Sequence, residues 1–311
     1  MGANLARRLL DDGHDVHLIL RRAHNPWRVE EISEHVAIHD ADVADADSVA
    51  AAFAAALPDW VFHLAAYGAY PEQKDAPRMV TTNVMGTLNM LTAAQGRGFE
   101  AFVNAGTSSE YGYKDHAPAE DEPLEPNSMY AVTKAAATQM CRMTARSHDL
   151  PVRTMRIYSA YGPYEEPTRL VPTLAVRGLA GELPPLANPD IARDYVYVDD
   201  VCEAFVLAAA TPNQEPGVVY NVGTGVQTKL RDIVEVSRRL LAIEAEPRWG
   251  SMEQRSWDTS TWVSNPVRLE QRLGWRARRG LEAGLRETVE WFRVHPALLQ
   301  HYRTQIDKRG E

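Results

Sequence analysis

Cysteine, lysine and long apolar runs are all scarce in this sequence, and each shortage narrows what the chain can be. There are only two cysteines in 311 residues, Cys141 and Cys202, too few and too isolated for a disulfide framework. They are expected to be reduced thiols in or near the core. The ten histidines show no H-E-x-x-H or similar spacing, and no Cys/His cluster has metal-ligand spacing, so no metal site is expected. No stretch of about 18 consecutive apolar residues exists, which gives no membrane partner. The opening residues Met1 to Arg8 lack the apolar core and cleavage site of a signal peptide, and a cytoplasmic location is expected. Basic residues number 33 against 42 acidic ones, a net charge of −9, which argues against a nucleic-acid partner. What the chain does have is length and 45% hydrophobic content, enough for one large or two closely joined domains.

Short β-branched or apolar runs at Val16–Leu20, Val61–Leu64, Ala101–Asn104 and Val152–Ile157 alternate with helical patterns at Asp45–Ala56, Arg78–Gln95 and Met129–His148. That alternation predicts an α/β fold, a doubly wound parallel sheet with ligands at the carboxyl ends of its strands. After Ile157 the texture changes, with prolines at 163, 167, 172, 184, 185 and 189 punctuating shorter elements. Residues 1–160 are therefore read as a dinucleotide-binding domain and 161–311 as a smaller C-terminal substrate lobe, with the chain crossing back to the sheet near 195–225. A doubly wound domain should open with a strand and a glycine-rich turn, yet here a helix ended by Gly13 follows Gly2 directly, so the first strand and turn are expected to be missing.

Tyr130 and Lys134 stand four apart at the start of a helical stretch, which places phenol and ammonium on one face. Upstream, a strand ends in Thr107, Ser108 and Ser109, hydroxyls at the sheet edge where ligands bind. An ammonium beside a phenol is expected to lower its pKa and fit it for proton exchange with a hydroxyl, while a nicotinamide exchanges the hydride; a helix-face tyrosine with an unrelated lysine is the plain alternative. Arg21 and Arg22 end the run Val16–Leu20, the second strand of such a fold, at the point where it holds the ribose, which favours NADP with NAD as the alternative. Asp42 and Val43 are in reach of the adenine, with a turn or capping role as Asp42's other reading, and Gly2 is a candidate last glycine of a phosphate turn. In the second half, Arg193 and Arg255 are candidate forks for a diphosphate, Asp199 or Asp200 a candidate N-cap, and Asn221–Gly225 a loop.

The ordered set of His63–Ala66, Asn83 with Gly86 and Thr87, Thr107–Gly112, Tyr130–Lys134, Arg193–Asp200, Asn221–Gly225 and Leu273–Trp275 resembles the NAD-dependent epimerase/dehydratase family over nearly the whole chain. The resemblance implies a Rossmann domain, a nicotinamide cofactor and a nucleotide-sugar substrate. By motif match it implies Thr107, Tyr130 and Lys134 as the catalytic trio and Leu64, Ala65, Ala66, Asn83 and Tyr158 as cofactor-side residues. Ser108, Ser109, Ser159, Arg193 and Arg255 are implied on the substrate side. It further implies a homodimer through the helices at Arg78–Gln95 and Met129–His148.

Three departures from the family pattern shape the expected chemistry. The glycine-rich turn survives only as Gly2, so the chain as written is expected to be inactive or poorly folded, and a sugar-nucleotide-binding protein without turnover is one alternative. The acidic residue that dehydratases carry two places before their Tyr-Gly signature is here Ser109, with Glu110 expected on the opposite side of an extended segment, which disfavours water loss. Ser159 replaces an asparagine of the substrate-binding strand. The favoured reading is reduction of the C4 keto group of an NDP-4-keto-6-deoxyhexose, with NDP-sugar 4-epimerisation as the alternative.

Overall fold

A computed structural model describes residues 1–252 and 259–310. Helix α1 (Gly2–Asp11) leads through Gly13, in the left-handed region at φ 85°, into β1 (His17–Leu20). Next come β2 (Ala37–Asp40), α2 (Ala46–Ala56) and β3 (Trp60–His63). The Asp45 carboxylate caps α2 by accepting the Asp47 and Ser48 amides. The predicted helix at Arg78–Gln95 is a continuous coil in three parts: α3 (Ala76–Met79), a π-helical turn (Val80–Met85) and α4 (Gly86–Arg97). Strand β4 (Ala101–Thr107) precedes α5 (Met129–His148), which Ser128 caps at 3.2 Å from the Ala131 amide. Asp149, left-handed at φ 51°, ends α5 beside Arg146 and His148, whose position suits the negative end of the helix dipole.

The second half begins with β5 (Val152–Ile157), β6 (Ser159–Tyr161) and α6 (Leu170–Gly178). Then follow β7 (Ala192–Arg193), β8 (Tyr195–Tyr197), α7 (Val198–Ala210), β9 (Val218–Val222) and β10 (Thr228–Lys229). Helices α8 (Leu230–Leu241), α9 (Val267–Leu273), α10 (Leu281–Val294) and α11 (Pro296–Gly310) complete the chain.

Strands β3-β4-β5-β9 form an all-parallel sheet in that order, and β5 and β9 are buried along their whole length. Alternation along β4 sends Phe102 to one face and Val103 and Ala105 to the other. The first face packs against α2, α4 and α5 through Phe53, Leu91 and Cys141, and the second against α1 and α7 through Leu5, Cys202 and Phe205. Both thiols are thus buried and free, one on each side of the sheet. Strands β1 and β2 pair in parallel as a separate two-stranded sheet, with Leu18 and Leu20 lying on the same core as Trp60 and Phe62. The doubly wound reading therefore holds, and β9 returns from the second half of the chain to complete the main sheet.

Outside the sheet, α6, α8, α10 and α11 build a second helical layer around Leu174, Ile233, Leu285, Phe292 and Tyr302. The Asp194 carboxylate, buried at the joint, accepts the amides of Thr224, Gly225 and Ser264 and so fixes the turn after β9. Asp199 and Asp200 are not the cap of α7: Tyr197 holds that position and both acids lie in the first turn. Asp200 is buried there and accepts the Arg278 and Arg279 amides and the Arg279 guanidinium. A sequence motif cannot separate a cap from a first-turn acid, because both favour a carboxylate for the same dipole reason.

Candidate active site

Strand β4 delivers Thr107 to the carboxyl end of the sheet, and there the chain stops being extended. Residues Ser108–Tyr111 wind into a 3-10 turn, which corrects the expected extended run past Ser109. The Thr107 hydroxyl accepts the Ser109 amide at 3.2 Å, and the turn sends Glu110 back under the strand end. Glu110 is fully buried: Oε1 accepts the Thr107 amide at 2.9 Å and the Thr138 hydroxyl at 3.0 Å, and Oε2 accepts Arg156 Nε at 2.8 Å. Arg156, also fully buried, donates through Nη1 to the Tyr111 hydroxyl and to the Glu120 carbonyl, each at 2.9 Å. Tyr111 in turn donates to Asn221 Oδ1 at 2.7 Å, and the Asn221 amide to Glu120 Oε1 at 3.0 Å. Gly112 closes the turn at φ 71°, where a Cβ would overlap the Glu125 carbonyl.

Tyr130 and Lys134, one turn apart on α5, face this strand end. Burial pushes the Tyr130 phenol up to about 12, opposed by a hydrogen bond with Thr107, and the charge of Glu110 adds to the rise. The direction is opposite to the expected lowering of the phenol, because loss of water outweighs the attraction of Arg169. Burial likewise lowers the Lys134 ammonium, with Glu110 pulling the other way. Among the described residues the Lys134 ammonium makes no ion pair, and the Tyr158 hydroxyl, buried one residue beyond β5, has no hydrogen-bond partner. The Lys134 ammonium, one turn from Tyr130, and the Tyr158 hydroxyl are thus two buried polar groups with capacity that a hydroxyl-bearing ligand can take up.

The remaining predicted residues fall into distinct groups. Ser108 and Tyr158 line one narrow cleft together with Trp262, and the Arg193 guanidinium lies over the Trp262 ring, 5.3 Å from its centroid. Ser109 and Ser159 are half-buried, and the Ser159 amide donates to the Asp194 carbonyl at 2.9 Å. Asn83 is fully buried with its amide committed: Oδ1 accepts the Tyr67 amide at 2.8 Å, and Nδ2 donates to the Tyr67 carbonyl at 2.8 Å and to Thr133 Oγ1 at 2.9 Å. It ties the loop carrying Leu64, Ala65 and Ala66 to α5, and leaves Ala65 and Ala66 exposed. Arg21 and Arg22 are exposed just after β1, with Arg22 Nε 3.7 Å from Asp40. Asp42 has the turn role, accepting the Ala44 amide at 3.0 Å, while Val43 is buried against Gly86. Gly2 is exposed at the start of α1, with open space where a Cβ would stand. Arg255 lies outside the described residues.

The Glu110–Arg156–Tyr111–Asn221 network is what sequence reasoning missed. Its signal was an arginine in the middle of Val152–Ile157, since a charge in a central buried strand demands a partner. Asn221, in a stretch whose sequence reads as a loop, belongs to β9 and is fully buried.

A parallel α/β sheet with a tyrosine and a lysine one turn apart at the end of a central strand is an arrangement suited to nicotinamide-dependent hydride transfer. The particular family follows from comparison: residues 1–223 match the model of the NAD dependent epimerase/dehydratase family, and the chain belongs to that family. It is 32% identical to a UDP-glucose 4-epimerase of Mycolicibacterium smegmatis, over 94% of this chain and 95% of that one. It is 33% identical to a dTDP-glucose 4,6-dehydratase of Streptomyces griseus, over 76% of this chain and 72% of the relative. Among solved structures, the Thermotoga maritima UDP-glucose 4-epimerase with UDP-glucose matches with a TM-score of 0.86 and 26% identity, covering 94% of this chain and 96% of that one. The Thermus thermophilus UDP-glucose 4-epimerase complex with NAD gives a TM-score of 0.83 and 29% identity over 94% and 95%.

Proposed function

We propose that this protein exchanges a hydride and a proton at C4 of a nucleoside-diphosphate sugar, without elimination of water, and that its net reaction is reduction of a 4-keto sugar. The observation that carries the redox-only reading is the state of Glu110. It is the carboxylate whose charge reaches both Tyr130 and Lys134, and it is held by Arg156, Thr138 and the Thr107 amide. Both its oxygens already accept hydrogen bonds from the fold and one is paired with Arg156, which argues against its serving as the acid for a leaving hydroxyl.

Thr107 and Tyr130 are the groups that bind and protonate the reacting oxygen. With its phenol held near 12, Tyr130 is protonated at neutral pH, the form that gives a proton to a keto oxygen. Lys134 stands one turn away to hold ribose hydroxyls and to offset the phenolate left behind. The nicotinamide supplies the hydride when bound. The residues that face it are Leu64, Ala65, Ala66 and Tyr158, with Asn83 acting by fixing their loop and Arg21 and Arg22 exposed where a 2′-phosphate is reached. Ser108, Ser109, Ser159 and Arg193 are assigned to the sugar nucleotide. In this reading residues 1–160 hold the dinucleotide and 161–311 supply most of the sugar-nucleotide lobe.

The 4-epimerase reading has its own support in the full-length match to the Mycolicibacterium smegmatis enzyme. Following NADPH and NADH absorbance with a panel of NDP-sugars and NDP-4-keto-6-deoxyhexoses, and separating the products, distinguishes the two. Stoichiometric loss of reduced cofactor establishes the reductase. Interconversion of C4 epimers with no net loss establishes the epimerase and ends the reductase reading. A homodimer through α3–α4 and α5 is part of the proposal: Val80, Met85, Leu88, Met129, Val132 and Met143 are all exposed large apolar residues on these helices.

A further inference from the structure

A second cavity lies away from Tyr130, beside the amino-terminal end of the edge strand β9. It measures about 400 Å³, within the range of small-ligand pockets, and its wall is charged rather than apolar. Arg142 and Arg146 reach it from one face of α5, and Arg268 and Arg272 from one face of α9, each pair four residues apart. Arg142 follows Tyr130 by about 18 Å along the same helix axis.

Four guanidinium groups meet two carboxylates there, Asp121 and Glu215. Arg268 pairs with Asp121 and stands 3.4 Å from the buried Glu120. Arg146 reaches Glu215 at 3.1 Å, and Arg142 is 3.6 Å from Asp121. Arg272 pairs with no carboxylate among the described residues. Arg142 Nε is buried without a hydrogen-bond partner. Burial lowers the Arg142 guanidinium, and the positive charges of Arg146, Arg156 and Arg268 add to that effect.

The cavity is also built. Gly217, at φ 73°, brings the chain so close to Arg142 that a Cβ would stand 2.8 Å from the Arg142 Cα. Arg153, buried behind the wall, donates to the Thr211 carbonyl at 3.3 Å. In this partly open cavity guanidinium groups outnumber carboxylates, which favours an anion, and arginine forks match phosphate oxygens in pairs.

We propose that this cavity binds a small organic phosphate, of sugar-phosphate or mononucleotide size, at a site separate from the one containing Tyr130. The test uses inorganic pyrophosphate as the probe and phenylglyoxal labelling of arginines read peptide by peptide. Pyrophosphate is expected to protect the peptides carrying Arg146 and Arg272, and sodium chloride at equal ionic strength is not. In equilibrium dialysis, binding at this site should weaken at least tenfold in Arg272→Gln and in Arg146→Gln. Both residues are exposed, so the fold should persist. Protection confined to other arginines, equal protection by chloride, or unchanged binding in both variants overturns the proposal.

Discussion

At the scale of single residues, the site depends on burial more than on attraction between charges. Under the proposed function, Tyr130→Phe removes the phenol that shares a hydrogen bond with Thr107 and is expected to lower turnover by about 10²–10⁴-fold while cofactor binding, read by fluorescence titration, stays close to wild type. Glu110→Gln strands the fully buried Arg156, so a loss of about 3–5 kcal/mol is expected in urea unfolding. Replacing both partners with apolar residues should cost less than replacing either one.

His63 provides a pH signature of the fold. It is buried against Thr87 at 3.0 Å, and burial pushes its imidazole down to about 3 from an ordinary 6.5. Between those values the unfolded chain binds a proton that the native chain does not, so stability falls as pH drops through that window. The slope from this residue approaches about 1.4 kcal/mol per pH unit. Unfolding midpoints measured between pH 4 and 6.5 should be flatter in His63→Gln; an unchanged slope assigns the acid sensitivity elsewhere.

At the scale of elements, α5 serves three surfaces at once. Its first turns face the strand end with Tyr130 and Lys134, Arg142 and Arg146 line the remote cavity, and Met129, Val132 and Met143 remain exposed. Val132→Glu places a charge in that exposed stripe and is expected to convert a dimer to a monomer by light scattering, with little change in the circular dichroism of the chain.

The sequence made α5 and β5 legible to the residue, because an alanine-rich run without glycine or proline and a β-branched run bounded by turns each have one reading. The Tyr130–Lys134 pair was legible for the same reason, through helical spacing. The short strands β6 and β10, three and two residues long, are too brief to show a period and exist through their pairing partners. The Glu110–Arg156 bond was hidden because its partners lie 46 residues apart and meet only when β4 and β5 align. The direction of the Tyr130 phenol's shift is not legible in the sequence, because spacing reports neighbours and not loss of water.

At the scale of the whole molecule, the sheet is unevenly secured. Strands β4 and β5 are buried and paired on both sides, whereas β1 and β2 are only partly buried and, among the described residues, pair with one another. Hydrogen exchange should therefore show the amides of β4 and β5 opening near the global unfolding free energy and those of β1 and β2 opening several-fold more readily. Equal protection of the two groups would mean that they unfold as one unit.

Because β9 returns from the second half, the order of synthesis matters to the first. A nascent chain that has reached residue 160 already holds Glu110, Tyr111 and Arg156, but Asn221 and the strand that covers β5 do not yet exist. Until residue 222 has emerged, the growing polypeptide carries an open β5 edge and a Tyr111 hydroxyl without its acceptor. Synthesis of the second half is therefore also the step that closes the first, and a pause between the two leaves that edge open to whatever chain lies nearest.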